Sequence, residues 1–360
     1  MNSSAGYGNH PTVYSSLSND ALFTLYTGGN WAGLNENARQ QLLQETVNRA
    51  AAQNGEIGAC EVRFASLPGT VLGQQSGNII ELNRSVFVED KYVHDYNGTI
   101  IEEPAPDSNF LALETALHED VHAWQNQCTD GTIVCPDRGL EEEYRANNFT
   151  VSYVQGSDGR GHPGSHYLNG KDPVLGYYIY YFQSSERDAH YFSQRQTGII
   201  GNFLQEKHGV DPSFQEYLKN LAVNGYAAVH QKGAEQFANP NFDKEINTVL
   251  MNQYYGTSLS VDPTIEKAVK EDMIASYYAQ VKHSNSAENF LQQKNTGLSQ
   301  KHGEEPVVFQ QGADERGGAV HAAADISEKA EAGMKAGTGV ETGETVAPGP
   351  GIGDDEGGIE

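Results

Sequence analysis

Positive charge is scarce in this sequence: 23 Lys and Arg stand against 48 Asp and Glu, a formal charge of −25 over 360 residues. A chain of this sign repels phosphate, and no basic stripe offsets it, which excludes a nucleic-acid binder. The same balance argues against adhesion to anionic membrane surfaces. No apolar run approaches the roughly 18 residues that a membrane span needs. Residues 1–20 carry neither the basic nor the apolar region of a signal peptide, so a cytoplasmic location is the default expectation. Cysteine is nearly absent: Cys60, Cys128 and Cys135 are too few for a disulfide scaffold. Three free thiols are expected without a signal peptide, although Cys128 and Cys135 could bridge a short loop in an oxidising compartment. What remains, with 38% hydrophobic residues, suffices for one large domain or two modest ones.

The charge is unevenly spread. Residues 301–360 hold 13 acidic and 4 basic residues, a net of −9, with 13 of the 39 glycines and no Tyr or Trp. Such a segment cannot bury enough apolar surface to offset the entropy of ordering, so 297–360 reads as a disordered Gly-rich acidic tail. Residues 1–20 read as a flexible leader, 21–204 as the domain that carries the chemistry, and 205–296 as a helical extension.

Within the folded part, Glu36 to Gln53 is predicted helical, with Asn35 as N-cap and Asn54-Gly55 as its stop. Glu61–Phe64 and Ile80–Leu82 alternate as strands do. The stretch from Arg84 to Pro106 reads as a mixed loop. Asp107 or Ser108 then caps a strong helix to about Gln127. Further helices are expected near Leu140–Val154 and Val174–Arg195, separated by a Gly-rich loop over 156–170. Asp211-Pro212 and Asp262-Pro263 each open a helix in the extension. Helices with a few short strands make an α+β domain.

The chemistry-bearing feature is His118-Glu119-Asp120-Val121-His122, an H-E-x-x-H sequence within a predicted helix. Residues four apart share a helical face, so both imidazoles can address one metal ion. Glu119 is offset by one residue, beside the ion rather than on it, where it can take a proton from an activated water. Phe110, Leu113, Leu117, Val121 and Trp124 form a continuous apolar stripe next to this face. Asp120 and Val121 point away from the metal face.

Two segments offer a third ligand, each of the form E-x-x-A: Glu143 to Ala146, and Glu186 to Ala189. The alanine one turn on would let the ligand-bearing helix approach the metal helix closely. Glu143 follows His122 by 21 residues, a separation similar to that of thermolysin-like zinc enzymes; Glu186 follows by 64. Spacing alone leaves both open. His190 is a candidate partner of the site or oxyanion donor, or a plain surface residue of its helix. Tyr181 or Tyr191 could supply an oxyanion donor. His162 and His166 read as loop residues.

The segment Leu117-His-Glu-Asp-Val-His-Ala-Trp-Gln125, followed by Phe182-Gln-Ser-Ser-Glu-Arg-Asp-Ala-His-Tyr-Phe192, resembles bacterial gluzincin-type metallopeptidase domains. These read H-E-x-x-H-A-[W/Y]-Q and later Q-x-x-E-x-D-A-x-x-F, and occur in effector-like and phage-linked proteins. The strand Ile79–Asn83 also resembles the one preceding the active helix in that group. The resemblance covers about residues 36–200. It implies a zincin-like fold, Zn²⁺ as cofactor, His118, His122 and Glu186 as ligands, Glu119 as general base, and a peptide or protein substrate. It also makes export by a signal-less route plausible. The strand at 79–83 is expected to lie at a sheet edge, where an extended substrate could pair with it. The competing readings are a binding or effector protein with a structural zinc, and a zinc hydrolase of non-peptide amides. Oligomeric state stays open.

Overall fold

The structure is a computed structural model that describes residues 7–68, 71–96, 99–145, 183–226 and 228–229. Tyr181, the Gly-rich loop, the Asp262-Pro263 cap and the acidic tail lie outside the described residues.

The architecture is α+β. Three N-terminal helices, α1 (Asn19–Thr24), α2 (Gly28–Ala32) and α3 (Glu36–Asn54), precede a small sheet. The sheet is built from β1 (Glu61–Ala65), β2 (Gly73–Ser76) and β3 (Ile79–Asn83). A short α4 (Arg84–Phe87) and a hairpin of β4 (Lys91–Tyr96) and β5 (Thr99–Pro104) lead into α5 (Ser108–Asp130). Residues 138–145 are again helical. After the interval outside the described residues come α6 (Ser184–His208) and α7 (Pro212–Asn224).

Helix ends follow the local chemistry. Asn35 caps α3 by accepting from Ala38 N, and Gly55 ends it at φ 75°, a left-handed turn that glycine adopts without strain. Asp211 accepts from Ser213 N with Pro212 in the first turn of α7. At α5 the expected cap is used otherwise. Asp107 accepts from Tyr92 Oη and Asn220 Nδ2, both at 2.7 Å, so its carboxylate ties β4 and α7 together instead of capping the helix.

β3 is the middle strand, parallel to β1 and antiparallel to β2. The expectation that 79–83 forms a sheet edge is therefore overturned: both of its sides are already paired, and the edge toward α5 is β2. Arg84–Pro106 is likewise not a loop but α4 and a hairpin. β5 is exposed along its whole length, including Ile100 and Ile101, so no buried face imprints alternation on the sequence.

The core joins α1–α5 and the sheet with the C-terminal helices. Leu42, Val47, Ile80, Leu82, Phe110, Leu113 and Leu117 pack in one cluster with Ile200 of α6 and Phe214 and Tyr217 of α7. The division expected at 204/205 falls inside α6. Residues 7–18, expected as part of a leader, run along α3: Gly8 bridges Ala59, Thr12 Oγ1 donates to Glu45 at 2.7 Å, and Asn48 Nδ2 donates to His10 O at 2.6 Å. Among the described residues, no helix is long and apolar enough to cross a membrane.

Candidate metal centre

α5 is buried almost all round between Ala112 and Gln125. Its apolar stripe, Phe110, Leu113, Leu117, Val121 and Trp124, lies in the interior as the periodicity requires. The adjacent face holds His118 and His122, whose Nε2 atoms are 3.1 Å apart. α6 crosses this face at its first turn. Ala189 is fully buried against Val121, and the absence of a longer side chain there lets the two helices approach closely.

That approach carries Glu186 to the imidazoles. Its Oε2 is 3.3 Å from His118 Nε2 and its Oε1 is 3.5 Å from His122 Nε2. Glu143, the other candidate, is elsewhere: its Oε1 meets Arg187 Nη1 at 2.8 Å. Arg187 also pairs with Asp188 at 2.8 Å, and Tyr144 Oη donates to Asp188 at 2.6 Å. With Arg187 only 1% exposed, this network fastens helical residues 138–145 to α6 next to Glu186.

The donor types are those that hold a metal ion. A tetrahedral ion with bonds of about 2.0–2.1 Å separates its ligands by roughly 3.3–3.4 Å. Here the two Nε2 atoms are 3.1 Å apart, and Glu186 turns Oε2 to His118 at 3.3 Å and Oε1 to His122 at 3.5 Å. Two imidazoles and one carboxylate, none more than 17% exposed in its side chain, are ligand types that divalent metal ions accept.

Tautomers are set by Gln125, whose part in the site the sequence signalled only by its place on the metal face. The Ser185 carbonyl can only accept, so Gln125 Nε2 faces it at 2.9 Å. Gln125 Oε1 must then face His122 Nδ1, 2.9 Å away, which puts a proton on Nδ1 and directs the Nε2 lone pair to the site. The same amide ties α5 to the first turn of α6.

Electrostatics follow the packing. Burial pushes the Glu186 carboxyl upward, but the charges and hydrogen bonds of His122 and His118 outweigh it and hold the group well below the usual carboxylate range. Burial pulls His122 down, yet Glu186, Glu119 and the Gln125 bond raise it to about 9 in the metal-free protein. Glu119 is raised, first by burial and further by the charge of Glu186; His118, His122 and a backbone N–H from Gln75 of β2 act the other way. β2 covers Glu119 closely: a Cβ on Gly73 would sit 3.2 Å from Glu119 Cγ and Oε1. Asp120 is fully buried, away from the imidazoles. Neither of its carboxyl oxygens is hydrogen-bonded among the described residues, and burial raises it well above the usual carboxylate range.

His190 lies one turn beyond Glu186, its ring 4.3 Å from that of His118. His118, Glu186 and His190 present ligand atoms all within 4.8 Å of one another, so His190 is itself within reach of an ion here. Burial and the neighbouring histidines hold it well below the ordinary histidine value, hence neutral. Tyr191 packs beside Val121 and against the ring of Tyr226.

Comparison with family models, curated proteins and solved structures found no match.

Proposed function

We propose that this protein is a zinc-dependent metallopeptidase with a zincin-like catalytic domain. The observation that carries the reading is the convergence of His118, His122 and Glu186: the two Nε2 atoms are 3.1 Å apart and each has a Glu186 carboxylate oxygen within 3.5 Å, with Glu119 beside them. His118, His122 and Glu186 would hold Zn²⁺, which when bound supplies Lewis acidity toward a carbonyl and acidifies water. Glu119 accepts a proton from the attacking water and returns it to the leaving amine; its raised basicity suits a group that must do both near neutral pH. β2, at the sheet edge over Glu119, offers backbone groups with which an extended peptide could pair. A peptide substrate rather than a non-peptide amide is favoured by that strand.

One observation supports a second reading. His190 groups with His118 and Glu186, their ligand atoms within 4.8 Å of one another, so it could join the ligand set. A closed His₃Glu set has no open position for water and would make the ion structural, as in a binding or effector protein. Metal analysis, Glu119→Gln and a proteome-derived peptide library separate these readings. The peptidase reading expects about one zinc per chain, cleavage by the wild type and none by zinc-loaded Glu119→Gln. Zinc without cleavage supports the structural reading; a chain without zinc refutes both.

A further inference from the structure

The metal centre is one end of a longer polar seam between α5 and α6. On α5, Glu114, His118 and His122 fall four residues apart on one face, and on α6 Glu186, His190 and Gln194 do the same. The two helices run antiparallel along this line, with a contact at each turn. Glu186 reaches His122 and His118, the His190 ring lies 4.3 Å from that of His118, and Gln194 Nε2 donates to Glu114 Oε1 at 3.1 Å. Leu113, Leu117 and Val121 on one helix, and Ala189 and Ser193 on the other, are buried. Glu114, His122, Glu186 and His190 keep partial exposure, so among the described residues the seam opens outward as a groove.

Glu114 is the acidic end of that groove. Tyr226 N can only donate, so Gln194 Oε1 accepts from it at 2.8 Å, which turns the amide nitrogen toward Glu114 Oε1. The carboxylate is thereby oriented but not neutralised. Among the described residues no Lys or Arg pairs with it, whereas Asp188 on α6 has Arg187 at 2.8 Å. Glu186, at the other end, is already held by two imidazoles. Burial raises the Glu114 carboxyl, and a cation set against it would reverse that cost. One helical turn, about 6 Å, separates Glu114 from His118. An extended peptide advances about 3.3 Å per residue, so this span corresponds to two residues of substrate.

We propose, resting on the peptidase reading above, that Glu114 selects peptides with a lysine or arginine within two residues of the scissile bond. Its carboxylate receives the side-chain cation while the bond lies beside His118 and His122. The substrate class is therefore cationic peptides. The chain outside the acidic tail also carries an excess of acidic residues, which draws such peptides toward the groove. A free amino terminus offers the same cationic nitrogen, and the experiment separates the two sources.

The test uses the full chain loaded with zinc and two degenerate octapeptide pools. They differ only in lysine against norleucine at the fourth position, and each is made with free and with acetylated amino termini. Cleavage by the wild type is read by mass spectrometry, and binding without cleavage is read on immobilised Glu119→Gln. The lysine pool is expected to be favoured roughly 30-fold in both readouts, acetylated or not. Adding Glu114→Gln, whose amide keeps an oxygen for Gln194, is expected to bring that ratio within about threefold at unchanged zinc content. A ratio near one in the wild type, an equal loss on both pools in Glu114→Gln, or a preference that follows the free amino terminus instead of lysine would overturn the proposal. A wild type that cleaves neither pool, while Glu119→Gln still retains the lysine pool through Glu114, would refute the peptidase reading and leave the acidic subsite standing.

Discussion

Two segments of this molecule share the pattern E-x-x-A, and the structure gives them opposite tasks. Glu186 meets His118 and His122, and its Ala189 packs on Val121 of the metal helix. Glu143 meets a buried arginine instead, and that arginine, Arg187, is the chain neighbour of Glu186. The two carboxylates are coupled through adjacent residues of α6: one is offered to the site, the other neutralises the cation that helps to hold the helix there. A carboxylate with a small residue one turn later therefore does not define a ligand. What decides is the charge it meets on the neighbouring element.

The largest effect should come from exchanging these roles. Glu186→Ala is expected to lower zinc affinity by about 100-fold or more, since it removes a ligand outright, whereas Glu143→Ala retains zinc. Equilibrium dialysis with metal analysis reads both, and loss of zinc in Glu143→Ala alone would reverse the assignment. Next in size is a substitution that touches neither carboxylate. Gly73→Ala would place a Cβ 2.6 Å from Thr115 Cγ2 and 3.2 Å from Glu119 Oε1, displacing the base while leaving the ligands. About a 100-fold loss of kcat at unchanged zinc content is expected in a peptide-cleavage assay.

A smaller effect is expected from Gln125→Ala, which frees His122 Nδ1 and the Ser185 carbonyl: zinc affinity should fall about 10-fold by competition titration. On the other arm of the comparison, Glu143→Ala removes one ion pair of Arg187 and leaves its pair with Asp188. Glu143 is 23% exposed, so the loss is discounted to about 1–2 kcal/mol, a drop in Tm of roughly 4 °C by calorimetry.

A last effect is a pH dependence of the metal-free protein. The folded His122 value, about 9, lies above its ordinary 6.5, so the stability it confers is full below 6.5 and lost as pH rises through 9. Glu186 is shifted the other way, so its contribution is present above its ordinary 4.5 and lost as pH falls toward its lowered folded value. Melting curves of metal-free protein should show the alkaline loss, and Glu186→Gln should reduce it, leaving the part that Glu119 and Gln125 supply.

Much of the scaffold was legible because short-range chemistry wrote it. Asn35 and Gly55 bound α3, Asp211-Pro212 opened α7, and the stripe on α5 marked the side that enters the core. The H-E-x-x-H spacing put two imidazoles on one helical face, where they lie 3.1 Å apart. What was not legible depended on partners distant in sequence. The polar strand Gly73-Gln-Gln-Ser76 has no apolar pattern of its own and is held by β3 and α5. The β4–β5 hairpin buries too little to show alternation. Asp107 looked like a cap until Tyr92 and Asn220 met its carboxylate. The choice between Glu143 and Glu186 required knowing where Arg187 points.

The X-ray absorption spectrum at the zinc edge, taken on the full chain after dialysis against zinc, tests the central claim most directly. The account predicts one zinc per chain bound by two imidazoles and by oxygen, with one imidazole lost in His118→Ala. A third imidazole, a sulfur ligand, or no bound zinc would contradict it.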